Sequence, residues 1–589
     1  MFRRKAVRPQ VRPLVPCGQD VGGGRAWVIE SDDSRTDALE TGRTRLVIAG
    51  LVFAMAFVVV AARLVTLGLV QGDEGQDLVA AAQAADTDWT PSRAPIVDRN
   101  GELLAVSLPG ASIYANPHEI RDPEMAAQAI ASVAPNLDLE RLRSHLARDG
   151  SFIWVDRCIS PRRTAAINAL GLPGVYIKQD ECRAYPQGAL TSQVVGFTDI
   201  DGRGLEGMER SFDEVLRGRS KPLRLSIDLR LQTVLAEELG STITEFSAIG
   251  GAGVIMDVRS GEVLSLVSLP TYDPLAPALS SEEARFNRAT LGVYEMGSVF
   301  KIFSTALSLD SGAVSLRDGF NLSNPIRVGR FTISDFHMEH GWHAIPDIFR
   351  VSSNIGTVQM AMTAGTPTIQ DYFGRFGLLR QPAFELPEVA QPLVPSPWRD
   401  INSMTAAYGH GIAVTPLQVA RAVSAVVNGG EMLPATLLAR GPGEDPLGQR
   451  VISKDTSDKL RWLMRLVVES GTGRSADAPG YLVGGKTGTA DKLSPHGGYM
   501  RNKRIASFAG AFPMDDPRYV IFVMVDEPKP TAKTYGYATA GWVAAPMVRR
   551  VVERLAPIIG LPPRAPEPAN RKDQNLIPVS MRGTDLAVR

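Results

Sequence analysis

Cysteine is nearly absent from this chain of 589 residues, which holds three: Cys17, Cys158 and Cys182. So few exclude a disulfide-scaffolded mini-protein and a dense metal–thiolate protein. An excess of either charge is also missing, because 63 Lys and Arg balance 63 Asp and Glu. Dedicated nucleic-acid binders carry a basic surplus, so that class loses ground. No internal repeat is visible, which removes solenoids and arrays. Hydrophobic residues make up 44% and charged residues 21%, ordinary values that argue against wholesale disorder. By length alone, roughly four domains would fit.

The charges cancel only on average. Residues 46–70 read LVIAGLVFAMAFVVVAARLVTLGLV with a single charge, Arg63, long enough for the roughly 20 apolar residues a spanning helix needs. Nine basic and six acidic residues precede this run; residues 71–92 after it carry five acidic residues and no Lys or Arg. The positive-inside rule then expects a cytoplasmic tail over 1–45, a transmembrane helix over 46–70, and everything later outside the cytoplasm. A cleaved signal peptide is the competing reading. The long basic segment and the lack of a nearby small-residue cleavage site oppose it. Cys17 has no apolar stretch before it, so it is not read as a lipoprotein site. Cys158 and Cys182 would face an oxidising compartment, where a bridge or two separate thiols both remain open.

Beyond the span, 79–85 reads as helix. Ser92 to Ser107 alternates apolar and polar residues around Asn100-Gly101, a hairpin pattern. Pro123 to Ala134 is helical. From Leu225 the pattern changes: a helix capped by Asp228, then two strands around Ser260-Gly261, then a long helical middle. Three strand-like runs follow (LVGGKTGTA, RIASFAGAF, RYVIFVMVDE), and then an amphipathic helix from Trp542 to Gly560. This order predicts an α/β fold in which an antiparallel sheet is flanked by helices. The last 29 residues, 561–589, hold five Pro and read as a flexible tail.

Three short motifs fall in order within the second region. Ser298 and Lys301, in GSVFK, lie three apart at the start of an apolar-periodic helix and so share a face. A Ser hydroxyl needs a base to become a nucleophile, and Lys301 can serve if burial or a nearby cation lowers its pKa. Ser352-Ser353-Asn354 precedes another helix; its hydroxyl and amide suit proton relay and amide binding, although N-capping is the plainer role. Lys486-Thr487-Gly488-Thr489 lies on a strand, with Lys486 expected to face the cleft and Gly488 admitting close approach of a ligand. A substrate would line up along that strand's edge by backbone pairing.

Two patterns are read as decoys. Gly480 to Thr487 fits the phosphate-loop spacing, but no helix follows it, so no nucleotide is expected. His337, His340 and His343 lack a further ligand and are read as a packed loop, with no metal and no cofactor.

Taken together, S-x-x-K, S-x-N and K-T-G are the motif set of penicillin-binding proteins and class A β-lactamases. The sequence resembles class B penicillin-binding proteins, most closely the division-specific FtsI type. The resemblance runs from the span to about Gly560. It includes Arg93 with Asp98-Arg99-Asn100-Gly101, Arg183 to Pro186, GFTDIDGRGLEG (Gly196 to Gly207), Tyr294 to Lys301, and Gly409 to Ala420. Met296 stands where the family often has Pro, Ser353 where the lactamases have Asp, and the segment between Gly218 and Leu225 is short.

The resemblance implies a serine β-lactamase-like transpeptidase sandwich over 225–560, preceded by an elongated α+β pedestal over 71–224. It implies a D,D-transpeptidase that cross-links stem peptides of septal peptidoglycan in the inner membrane and is inhibited by β-lactams. Ser298 would be acylated with Lys301 as base. Ser352, Asn354 and Lys486 would assist, while Thr487, Gly488 and Thr489 would bind the substrate. An FtsW-type glycan polymerase is the implied partner. An elongation-type transpeptidase, a D,D-carboxypeptidase or β-lactamase, and a non-catalytic β-lactam sensor are the alternatives.

Overall fold

Residues 519–526 read YVIFVMVD, an apolar run that only a strand covered on both faces can bury. The computed structural model describes Ile48, residues 50–61 and residues 91–564, apart from 219, 220, 330, 442 and 495–497. The chain divides into two units, 1–85 and 86–589. In the first, Ile48 and 50–61 are helical with exposed apolar side chains such as Phe57. Among the described residues no helix is long and apolar enough to cross a membrane. The remainder of 46–70, the basic segment before it, the helix expected over 79–85 and the tail from 565 lie outside the described residues.

The second unit begins with the pedestal residues. Strands β1 (Ile96–Val97) and β2 (Leu103–Ala115) pair antiparallel across a turn in which Gly101 takes φ +95°, as the Asn-Gly pattern predicts. β3 (Ile153–Ile159) and β4 (Val175–Ala184) both pair antiparallel with β2, and β5 (Leu223–Arg224) runs parallel to β1. A helix over Pro123–Val133, capped by Asp122, covers one face with its Ala127 and Ile130. Cys158 and Cys182 form a disulfide, Cα–Cα 5.3 Å, joining β3 to β4. It crosses β2 at Gly110, where a Cβ would collide with Cys182 Sγ.

Three pedestal stretches, at Arg93, Arg183 and 202–204, converge on one buried ion cluster. Arg93, 2% exposed, donates to Glu209 Oε2 at 2.6 Å, to the Glu209 carbonyl at 2.7 Å and to Asp213 at 2.7 Å. Arg183 donates to the other Glu209 oxygen at 2.7 Å. Glu209 is fully buried, so each cation offsets the cost of taking its carboxylate out of water. The Arg93→Met variant leaves that carboxylate half-compensated. We expect a loss of about 3–5 kcal/mol, read as a fall in thermal midpoint; an unchanged midpoint would show that Arg183 alone suffices.

A second five-stranded sheet is made of β6 (Gly250–Asp257), β7 (Val263–Leu269), β14 (Gly484–Leu493), β15 (Tyr499–Phe512) and β16 (Tyr519–Asp526). It is antiparallel throughout, in the order β14-β15-β16-β6-β7. The intervening short strands, β8 (Gly319–Asn321), β9 (Ile326–Val328), β10 (Phe331–Ile333), β11 (Trp342–Ala344), β12 (Glu431–Met432) and β13 (Gln449–Arg450), form three two-stranded ladders. Alternation along β16 sorts the core into two layers. Ile521, Val523 and Val525 pack with the helices Leu229–Glu245 and Ala544–Ile558. Val520, Phe522 and Met524 pack on the other side with the helices Lys301–Asp310 and Pro416–Val427. The second layer also takes in Ile96, Leu104, Val194 and Met208 of the pedestal, so the two share one core. At their junction the Asp98 carboxylate accepts from Asn100, Glu102 and Leu229 N–H groups at 2.7, 2.9 and 3.1 Å, tying the β1–β2 turn to a helix start.

Candidate functional site

The three motifs meet at one open cleft of about 840 Å³. Ser298 lies on a 3-10 turn, Gly297–Phe300, from which the Lys301–Asp310 helix continues. That helix is buried from Lys301 to Leu309 and so fixes the turn. Gly297 takes φ +52°, and a Cβ there would sit 2.7 Å from Thr489 O on β14. Gly488 faces the same turn: its Cβ would overlap Met296 O and lie 2.8 Å from Val299. Strand and turn thus pack backbone to backbone, as expected where a strand glycine admits close approach. Among the described residues β14 pairs with β15 alone, so no strand lies on its other edge.

Ser352 occupies the left-handed region, φ +64°, at the end of the Ile345–Val351 helix. Such a conformation costs a non-glycine residue on the order of 1–3 kcal/mol and is held by its surroundings. Lys301 Nζ donates to Ser352 Oγ at 3.1 Å and also to its carbonyl; Lys486 Nζ donates to Ser352 Oγ at 2.8 Å. Both lysines are 0% exposed. Burial pushes the Lys301 ammonium well below its usual range, and the nearby Lys486 charge adds to the effect, opposed by Asp335. Burial alone brings Lys486 down to about 7. Two such groups on one hydroxyl cannot both keep a full charge, so the pair can hold and pass a single proton.

Strand alternation places Thr487 and Thr489 on the cleft, and Lys486 on the buried side, where it reaches Ser352 from behind. Lys486 is thus fully buried under the Lys454–Ser470 helix, while its Nζ meets Ser352 Oγ, which lines the cleft. Thr487 Oγ1 lies 2.7 Å from Thr472 Oγ1, and Thr489 Oγ1 accepts from Ala540 N–H at 3.1 Å. Asn354 begins the Asn354–Ala364 helix, with Nδ2 donating to Ser334 O at 2.9 Å. Ser353 caps that helix, accepting from Gly356 N–H at 2.9 Å.

Sequence reasoning missed Asp335. Its carboxylate accepts from Ser353 Oγ at 2.7 Å, from Ile355 N–H at 3.0 Å and from Asn354 N–H. It puts a negative charge at the helix N-terminus, which the dipole favours. The available signal was an acidic residue shortly before a motif whose own middle residue is Ser. The neighbouring His337, His340 and His343 are not gathered: among the described residues no three His, Cys, Asp or Glu are placed to hold a metal. The phosphate-loop pattern proves to run into strand β14.

Residues 251–553 match the penicillin binding protein transpeptidase domain, and residues 88–229 match the penicillin-binding protein dimerisation domain. The chain belongs to the class B penicillin-binding proteins. Within that family it is 39% identical to the probable peptidoglycan D,D-transpeptidase FtsI of Caulobacter vibrioides, covering 80% of this chain and 82% of the relative. It is 31% identical to the peptidoglycan D,D-transpeptidase FtsI of Escherichia coli K12, covering 80% and 85%. Penicillin binding protein 3 of Mycobacterium tuberculosis, solved with ampicillin, aligns with a TM-score of 0.64 at 26% identity over 82% of this chain and 98% of that one. The fold of a transpeptidase domain on a dimerisation-type pedestal is thereby the fold of this class B protein.

Proposed function

We propose that this protein is a peptidoglycan D,D-transpeptidase that cross-links stem peptides of the septal wall through an acyl-enzyme on Ser298. The carrying observation is Ser352 Oγ held between two buried lysines beside the Ser298 turn. Ser298 Oγ attacks the carbonyl of the penultimate D-Ala of a donor stem, and Lys301 takes its proton. The backbone N–H groups of Ser298 and Thr489 stabilise the oxyanion, each contributing about 10²–10³-fold. Ser352 passes a proton to the departing D-Ala, with Lys486 setting the local field. Asn354 holds the peptide amide, while Thr487 and Thr489 take the terminal carboxylate beside Gly488. An amine from a neighbouring stem then displaces Ser298. β-Lactams mimic the D-Ala-D-Ala end and occupy Ser298.

In this reading residues 1–45 lie in the cytoplasm, 46–70 form the single membrane span, and the pedestal (71–224) and catalytic domain (225–560) stand in the periplasm, followed by a tail over 561–589. Division partners, including an FtsW-type glycan polymerase, meet the span and pedestal. The charge asymmetry around the span and the relatives named FtsI support this placement.

Purified full-length protein given a pentapeptide donor and an amine acceptor should yield cross-linked dimer and free D-Ala. Free D-Ala with tetrapeptide alone would instead mark a carboxypeptidase. A fluorescent fusion should concentrate at the septum; uniform sidewall signal would favour the elongation role.

A further inference from the structure

The cleft holds a second carboxylate-centred cluster that the Ser–Lys–Ser–Lys set does not use. Glu295 lies three residues before Ser298 and is 6% exposed. It accepts from Gly411 N–H at 2.8 Å and from the Tyr499 hydroxyl at 3.0 Å, and His410 Nδ1 lies 3.1 Å from its Oε2. A carboxylate can only accept, so at that distance Nδ1 carries the proton. The neutral imidazole then keeps its basic lone pair on Nε2. His410 lines the same cleft as Ser298. It is also tied to the nucleophile turn, since Gly297 N–H donates to Gly409 O at 3.2 Å. A buried carboxylate orienting an imidazole on the cleft that holds the nucleophile has the parts that let histidine act as a general base.

The acceptor half-reaction needs such a group. An alkyl amine is an ammonium ion at neutral pH and cannot attack until it loses a proton. Lys301 serves the Ser298 oxygen in the acylation half, and both lysines are buried with their amines against Ser352. We propose that His410 is the general base of the acceptor step, with Glu295 as its positioning residue; this rests on the transpeptidase reading above. Nε2 takes one proton from the acceptor ammonium. The free amine adds to the acyl carbonyl, the C–N bond forms, and the C–Oγ bond to Ser298 breaks. The second amine proton goes to Ser298 Oγ, and the imidazolium, stabilised by Glu295, returns its proton to solvent.

The groups facing His410 are Glu295, Tyr408 on its own segment (ring centroids 5.1 Å) and Tyr499 from β15 (5.5 Å). Asp491 and Arg504, paired at 3.0 Å, line the same cleft. Burial, then the Glu295 charge, pushes both phenols upward, so they stay neutral in the working range.

The test uses the full-length protein in detergent micelles with a thioester donor and glycine-type amine acceptors. Acylation by donor and aminolysis of the acyl-enzyme are timed separately from pH ~5.5 to ~9, and His410→Gln and His410→Phe are scored by the ratio of the two rates. Misfolded molecules neither acylate nor transfer, so they leave the ratio unchanged. The expected result is a ratio about 10²-fold lower in both variants, with loss of its rise with pH. A weakly basic acceptor that is already unprotonated should restore most of the ratio. An unchanged ratio, or no restoration by the weak base, would overturn the assignment. Absence of any acylation of the unsubstituted protein would overturn the transpeptidase reading itself and this proposal with it.

Discussion

The Ser298→Ala variant should show no covalent labelling by a fluorescent penicillin, at any time or concentration, while its unfolding free energy stays within about 0.5 kcal/mol of the parent. Ser298 is only partly buried, on a turn held by neighbours rather than by its own hydroxyl, so removing one oxygen leaves packing intact. The chemistry has no substitute. Ser352 Oγ is already bonded to two lysines, and its carbonyl to one. Thr487 and Thr489 hydroxyls are engaged with Thr472 and Ala540. A labelled Ala variant would mean that another hydroxyl is the nucleophile, and it would sink the assignment of every group placed around Ser298.

Lys486→Met should separate activity from stability. Acylation should fall by about 10²–10⁴-fold, because Ser352 loses one of its two lysine partners and the proton relay its field. Stability at neutral pH should rise instead. In the unfolded chain this lysine titrates near 10.4; in the fold burial holds it at about 7. Between those values the unfolded state binds more protons, so the parent's stability is full above the unfolded value and declines as pH falls toward 7. The gap corresponds to on the order of 4–5 kcal/mol of burial cost at pH 7, of which lost hydrogen bonds return a part, leaving a net gain of about 1–3 kcal/mol for methionine. Denaturation across pH 7–10 reads both effects: the parent should climb more steeply than the variant. A variant less stable than the parent at pH 7 would show that the hydrogen bonds outweigh the desolvation.

Much of this arrangement was legible in the sequence. Apolar runs separated by Ser260-Gly261 and Asn100-Gly101 give paired strands because positive-φ glycine leaves few other routes for the chain. Asp122 and Asp228 cap helices where their side chains precede apolar periodicity. The motif order located Ser298, Ser352 and Lys486, and the fold brings them to one cleft. What the sequence could not carry was long-range. Asp335 reaches the Asn354 helix because two short ladders turn the chain back there, and no local pattern predicts that return. The full burial of Lys486 is long-range in the same way: a helix from residue 454 packs on its strand. The Cys158–Cys182 pairing stayed open because it depends on β3 and β4 flanking one strand at a glycine. The stretches Arg93, Arg183 and Gly196 to Gly207 were recognised as a pattern, but only the fold explains them, as walls of a single buried ion cluster.

The backbone-to-backbone seam between the Ser298 turn and β14 bears on how such an enzyme can change under selection. A side chain at Gly297 would press on Thr489 O, and one at Gly488 would press on Val299 and Ser507. A substitution that loosens this seam to exclude a drug would loosen the grip on the natural substrate equally. Heritable escape from a β-lactam must therefore be sought at the rim, where Phe336 and Trp542 line the cleft with exposed side chains and can exchange size and polarity without moving the turn.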